Sequence, residues 1–125
     1  MNFIETPNAP APAGHYSQAV EHNDLIFVSG QLPVNPHTKE KILGSIAEQT
    51  LQVLENLEAI LEAAGSDLKH VLKTTIYISD ISLWDEVNRV YADFFKEHKP
   101  ARAVVPTKDL HFGFKLELEA IAVKL

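Results

Sequence analysis

Apolar and polar positions change rhythm several times along this chain. Ser17 to Glu21 and Leu25 to Gln31 are short β-rich runs separated by His22-Asn23-Asp24, and they read as two strands of a hairpin. Ahead of them, Thr6 to Gly14 is a Pro-rich extended lead-in. Pro33 to Gly44, punctuated by Asn35-Pro36, reads as a loop. The period then lengthens. Ser45-Ile46-Ala47-Glu48 has the form of a capping box, and Leu51, Leu54, Leu57, Ile60 and Leu61 recur at helical spacing until Gly65 stops the helix. Val71 to Ile78 is a strand. Ser82-Leu83-Trp84-Asp85 resembles a second capping box, with Trp84, Val87, Tyr91, Phe94 and Phe95 as the buried face of its helix and Pro100 just past the end. Ala103 to Val105 and Lys115 to Val123 are the last strands, joined by the loop Pro106 to Phe114.

The order ββ-α-β-α-ββ predicts an α+β fold of two layers, a mixed sheet packed by two helices, in a single domain spanning residues 1–125. Along Leu25-Ile26-Phe27-Val28 successive residues are apolar, so both faces of that strand call for burial. Two helices cover one face of a sheet. The other face then needs a loop or another subunit, and the second option predicts a homo-oligomer.

Composition narrows the function. No cysteine is present, which removes disulfides, thiolate metal sites and a cysteine nucleophile, and fits a reducing, cytoplasmic setting. Met1 to Gly14 has neither a basic nor an apolar leader segment, and no apolar run approaches the ~18 residues of a membrane span. A net charge of −6 argues against nucleic acid as a partner. The six histidines show no metal-ligand spacing, and no phosphate loop or dinucleotide glycine motif occurs, so neither metal nor cofactor is expected.

Among residues that could carry chemistry, Arg102 enters the apolar strand Ala103-Val104-Val105, where its planar fork suits either a bidentate carboxylate ligand or a structural ion pair. Glu117 and Glu119 leave one face of their strand together, followed on that face by Ile121 and Val123. Such carboxylates suit holding a water, acting as acid or base, or pairing with Arg102, and equally suit a solvated strand end. Tyr16-Ser17 precedes the first strand. Ser29-Gly30 ends the second, without the pattern of a nucleophile elbow, and Gly30 permits close approach to the backbone.

Several segments together resemble the RidA/YjgF family: Tyr16-Ser17-Gln18-Ala19-Val20, Phe27 to Pro33, Gln49-Thr50 with Asn56-Leu57, Ala59 to Gly65, Lys73-Thr74-Thr75, Val87-Asn88 with Tyr91, Pro100-Ala101-Arg102, and Glu117 to Ala122. The resemblance runs in order from about Thr6 to Val123. It implies a chorismate-mutase-like fold assembled as a homotrimer, with clefts between subunits. It also implies cofactor-free hydrolysis of enamine and imine intermediates, of the 2-aminoacrylate and 2-iminobutanoate type, to 2-keto acids and ammonia. By the same resemblance Arg102 grips the substrate carboxylate, Glu117 serves the attacking water and proton transfer, and Tyr16, Ser29 and Gly30 line the cleft. Val104 stands where many members have cysteine, so it would contribute backbone only. His15 replaces a frequent proline, and Leu110 to Phe114 replaces a Leu-Pro-Lys-type loop, which leaves the preferred substrate side chain open. Two other readings remain, an endoribonuclease or translation inhibitor and a non-catalytic trimer that binds small carboxylates.

Overall fold

The computed structural model describes all 125 residues. Its strands are β1 (Asn2–Ile4), β2 (Ala19–His22), β3 (Leu25–Gln31), β4 (Val71–Ile78), β5 (Ala101–Pro106) and β6 (Leu116–Val123), and its helices are α1 (Ile46–Ala63) and α2 (Trp84–Phe95). All six strands join one sheet in the order β1-β2-β3-β6-β4-β5. Neighbours are antiparallel except β4 and β5, which run parallel. A parallel pair needs a crossover, and α2 supplies it. The fold is thus α+β, a mixed sheet with two helices, as the rhythm of the chain predicts.

Local chemistry sets the boundaries. Asn23 and Asp24 both adopt left-handed backbone (φ 50° and 63°), so the hairpin turns in two residues and His22 pairs with Leu25. Ser45 caps α1 by accepting the Glu48 N–H at 3.2 Å. Gly65, at φ 80°, ends the helix region as expected.

The structure corrects four details. The first hairpin strand begins at Ala19 rather than Ser17, because Gln18 turns inward: its amide donates to the carbonyls of Thr6, Ala9 and Pro10 and accepts from the Thr6 N–H. β1 is an additional edge strand ahead of the lead-in. The second capping box is absent. Asp80 instead accepts from the Ser82 N–H at 2.8 Å, capping a short 3₁₀ turn that feeds directly into α2. Leu51 and Trp84 are not core residues: Leu51 is 42% exposed beside the buried stripe of α1, and Trp84 is 37% exposed at the first turn of α2.

The core lies between the sheet and the helices. Val53, Leu54, Leu57, Ile60 and Leu61 of α1 are fully buried together with Ile26, Ile76, Ile78, Leu116 and Leu118 of the sheet. Burying each such side chain stabilises the fold by about 1.5–3 kcal/mol, and truncating one to alanine costs roughly 2–5 kcal/mol. The opposite face of the sheet carries no element of this chain. Across it Phe3, Val20, Phe27 and Ile121 sit in register on β1, β2, β3 and β6. Phe3 is 70% and Phe27 44% exposed. The strand that called for burial on both faces is covered on one.

Candidate active site

Arg102 lies on the edge strand β5, in register with Thr74 of β4, and Thr74 is in register with the buried Ala120 of β6. Partners across a ladder share a face, so Arg102 is on the helix side. There α2 shapes its surroundings. Tyr91, whose hydroxyl is hydrogen-bonded to Thr74 at 2.8 Å, presents its ring 4.8 Å from the guanidinium carbon, and Trp84 lies at 5.5 Å. One guanidinium nitrogen donates to Asn88 Oδ1 at 2.9 Å. Aromatic faces attract the cation without neutralising it. Arg89 is tied to Glu86 and Asp93, whereas no carboxylate of the chain lies within ion-pair distance of Arg102. The ion-pair alternative therefore has no partner within the chain. Val104, two residues on, packs its side chain against the core on the same side.

Glu117 belongs to the other face. It is in register with Tyr77 of β4, which is in register with Val105 of β5. On its other flank β3 bulges: Val28 opposes Ala120 and Gln31 opposes Leu118, leaving one extra residue in Ser29-Gly30. A methyl group on Gly30 would fall onto the Glu117 carboxylate, whose Cδ would stand 3.0 Å away. The glycine thus permits the acid to lie against the strand. Burial pushes the Glu117 carboxyl above its usual range, and like-charge repulsion from Glu119 adds to this, while His111 pulls it down.

Ser29 donates through Oγ to the Ser17 carbonyl at 2.6 Å, joining the bulge to the end of the lead-in. Tyr16 is half-exposed, its hydroxyl accepting from the Ala13 N–H at 3.2 Å. Tyr16 and Gly30 line a common cleft of about 880 Å³, walled by Pro7 and Ala9 to Ala13 of the lead-in and by Phe112. Tyr16, Ser29, Gly30 and Glu117 are therefore gathered at one end of the sheet, and Arg102 and Val104 stand apart on the opposite face.

Residues that the sequence reading left aside support these positions. Gln18 anchors the cleft wall through the four bonds described above. Asn56 donates to the Leu32 and Val34 carbonyls and fixes the segment after the bulge. Asn88, Tyr91 and Trp84 build the seat of Arg102. Helical spacing on α2 marked Tyr91 and Trp84 as its buried face, which holds for Tyr91 and not for Trp84, and Asn88 entered only through the family resemblance. No three His, Asp or Glu side chains converge in an arrangement that could hold a metal.

A family model described as Endoribonuclease L-PSP matches residues 6–124. The chain belongs to this family, the RidA/YjgF proteins. A RutC family protein of Pyrococcus horikoshii is 48% identical over 121 residues, covering 97% of this chain and 96% of the relative. The human 2-iminobutanoate/2-iminopropanoate deaminase is 40% identical over 121 residues, covering 97% and 88%. The crystal structure of the YjgF gene product of E. coli superposes with a TM-score of 0.94 at 42% identity, covering 100% of both chains. The RidA/YjgF fold accounts for every strand and helix described above.

Proposed function

We propose that this RidA/YjgF protein hydrolyses reactive imines of 2-amino acids, of the 2-iminobutanoate and 2-iminopropanoate type and their enamine tautomers, to 2-keto acids and ammonia. The observation that carries the reading is the Arg102 guanidinium, seated by two aromatic rings and Asn88 and free of any carboxylate of its own chain. The 40% identity to the human deaminase supports the substrate class. In this reading the working unit is a homotrimer that buries the apolar row Phe3, Val20, Phe27 and Ile121. Arg102 of one subunit then meets Tyr16, Ser29, Gly30 and Glu117 of a neighbour. A cytoplasmic setting is part of the proposal, supported by a chain without cysteine.

The chemistry asks little beyond placement. An imine carbon is already electrophilic. Arg102 holds the substrate carboxylate through two parallel N–H···O bonds and fixes that carbon. Glu117 takes a proton from water as the oxygen adds to the carbon of the protonated imine, giving a neutral carbinolamine. Glu117 returns that proton to nitrogen, and the C–N bond breaks with its electron pair leaving on ammonia. The hydroxyl proton passes to the Glu117 carboxylate as the carbonyl forms, to be carried off by ammonia as ammonium. A carboxyl held above its usual range by burial suits both the taking and the giving of that proton.

A coupled assay tests the reading: an imine released in situ by an amino-acid dehydratase or oxidase, with 2-keto acid formation followed with and without this protein. Accelerated keto-acid formation is expected. Binding of a 2-keto acid without acceleration would favour a non-catalytic carboxylate-binding protein instead.

A further inference from the structure

Glu117 and Glu119 leave β6 on the same face two residues apart, yet their surroundings differ. The Tyr77 hydroxyl donates to Glu119 Oε1 at 2.5 Å. Tyr77 is itself the residue of β4 directly opposite Glu117. One tyrosine thus stands beside the first carboxylate and ties down the second. Glu117 in turn lies against the Gly30 backbone at the bulge. We infer that Tyr77 and Glu119 form a fixed-charge support for Glu117: the phenol locks the Glu119 carboxylate in place, and the locked charge keeps Glu117 able to carry a proton. Glu119 and Tyr77 are positioning residues in this scheme. They act through Glu117 and touch no substrate.

The physical argument is that of two carboxylates with two roles set by environment. A mobile surface glutamate would swing into solvent, and its field at Glu117 would be screened. A carboxylate held by a short hydrogen bond on a sheet face cannot swing away. Within its own chain the titratable groups facing Glu117 are Glu119 on its own strand, Tyr77 on β4 and His111 in the loop before β6, and in the proposed trimer the neighbour's Arg102 adds a cation that favours ionisation. Gly30 on β3 and Val105 on β5 bring none. Glu119 opposes ionisation of Glu117 and His111 favours it. The phenol of Tyr77 is held above its ordinary value, first by its bond to Glu119 and then by burial, so it remains the donor.

This inference deepens the proposed function, which assigns Glu117 the proton, and its test separates the two. Carboxyl ¹³C NMR of the full-length protein gives the titration midpoint of Glu117 without reference to activity. Glu119→Gln should lower that midpoint by on the order of 0.5–1 pH unit. Tyr77→Phe, which keeps the charge and removes only its anchor, should lower it by less. The acid limb of kcat/KM should move with the midpoint. An unchanged midpoint in Glu119→Gln, or a larger shift in Tyr77→Phe than in Glu119→Gln, overturns the inference. If Glu119→Gln does not fold, Tyr77→Phe alone decides: a downward shift supports the support role, and none overturns it. A midpoint that moves while the activity profile stays put upholds the inference and removes Glu117 from the catalytic role instead.

Discussion

Arg102 and Glu117 leave the same sheet on opposite faces. Arg102 is in register with Thr74 on the helix side, and Glu117 is in register with Tyr77 on the uncovered side. A rigid sheet does not bring such a pair together within one subunit, so a site that uses both requires a second copy of the chain. The apolar row Phe3, Val20, Phe27 and Ile121 gives that copy a reason to dock. With the homotrimer of the proposed function as that assembly, light scattering should report a trimer at micromolar concentration. A charge in the middle of the row, Phe27→Asp, should dissociate it, with activity lost in proportion. A stable, active monomer would exclude the intersubunit site.

Removing the clamp should cost more than removing its seat. Two charge-assisted hydrogen bonds at roughly 1.5–3 kcal/mol each imply a loss of about 3–5 kcal/mol for Arg102→Ala, allowing for non-additivity. In kcat/KM this is a fall of about 10²–10³ or more. Arg102→Lys should recover little, because an ammonium keeps the charge without the planar fork. Asn88→Ala removes a single hydrogen bond to the guanidinium and should cost only about 3–10-fold, on the scale of ~1 kcal/mol per bond. Steady-state kinetics and keto-acid binding, measured with the oligomeric state, check the order. An intact trimer of Arg102→Ala with normal turnover would rule out the clamp.

Glu117→Gln should slow hydrolysis by about 10²–10⁴-fold while leaving keto-acid binding nearly unchanged. The same substitution should stabilise the fold, and its pH dependence follows from the raised carboxyl. Between the ordinary value of the unfolded chain and the higher folded value, the native state binds more protons than the unfolded state. Stability therefore falls as pH rises through that window, and the full cost persists above it. Glutamine carries no such cost. The Tm of Glu117→Gln should thus exceed that of wild type at neutral pH, and the difference should vanish below about pH 4, where an ordinary carboxylate is protonated. A difference that grows toward acid would mean that the folded protein favours the ionised form.

Gly30→Val tests the contact that seats the acid. A side chain at this position must displace the Glu117 carboxylate. Activity should fall toward that of Glu117→Gln, with the trimer intact. Near-normal activity would show that Glu117 does not work from the position against the bulge.

Much of this was legible in the sequence, and the remainder shows what periodicity cannot carry. The alternation along Leu116 to Val123 told which residues share a face, and the stripe of α1 told which side the helix presents. Neither relates one strand to the next. That β5 lies parallel to β4 at the far edge, with Arg102 turned to the helix side, depends on pairing across distant segments. Glu117 and Glu119 are equivalent by spacing, and only the Tyr77 bond and the Gly30 contact distinguish them. Trp84 was read as core from its helical spacing, but it stands at the first turn of α2 and overhangs a cation. β1 is three residues long and leaves no pattern, so its pairing with β2 was invisible.

The family model carries the words Endoribonuclease L-PSP, yet the chain has a net charge of −6, unsuited to a polyanion. Purified protein should leave single-stranded RNA intact under conditions where imine hydrolysis is fast. RNA cleavage that follows the protein through several columns and disappears in Arg102→Ala would reverse this assignment.

The most direct measurement of the central claim, a carboxylate clamp and a proton-transferring acid contributed by different subunits, is complementation between two inactive variants. Arg102→Ala and Glu117→Gln are unfolded together, mixed in equal amounts and refolded. In a cyclic trimer every mixed assembly holds one site with both native residues. Random mixing should therefore restore about a quarter of wild-type activity. Mixed trimers, verified by mass spectrometry, that remain as inactive as either parent would contradict the shared site.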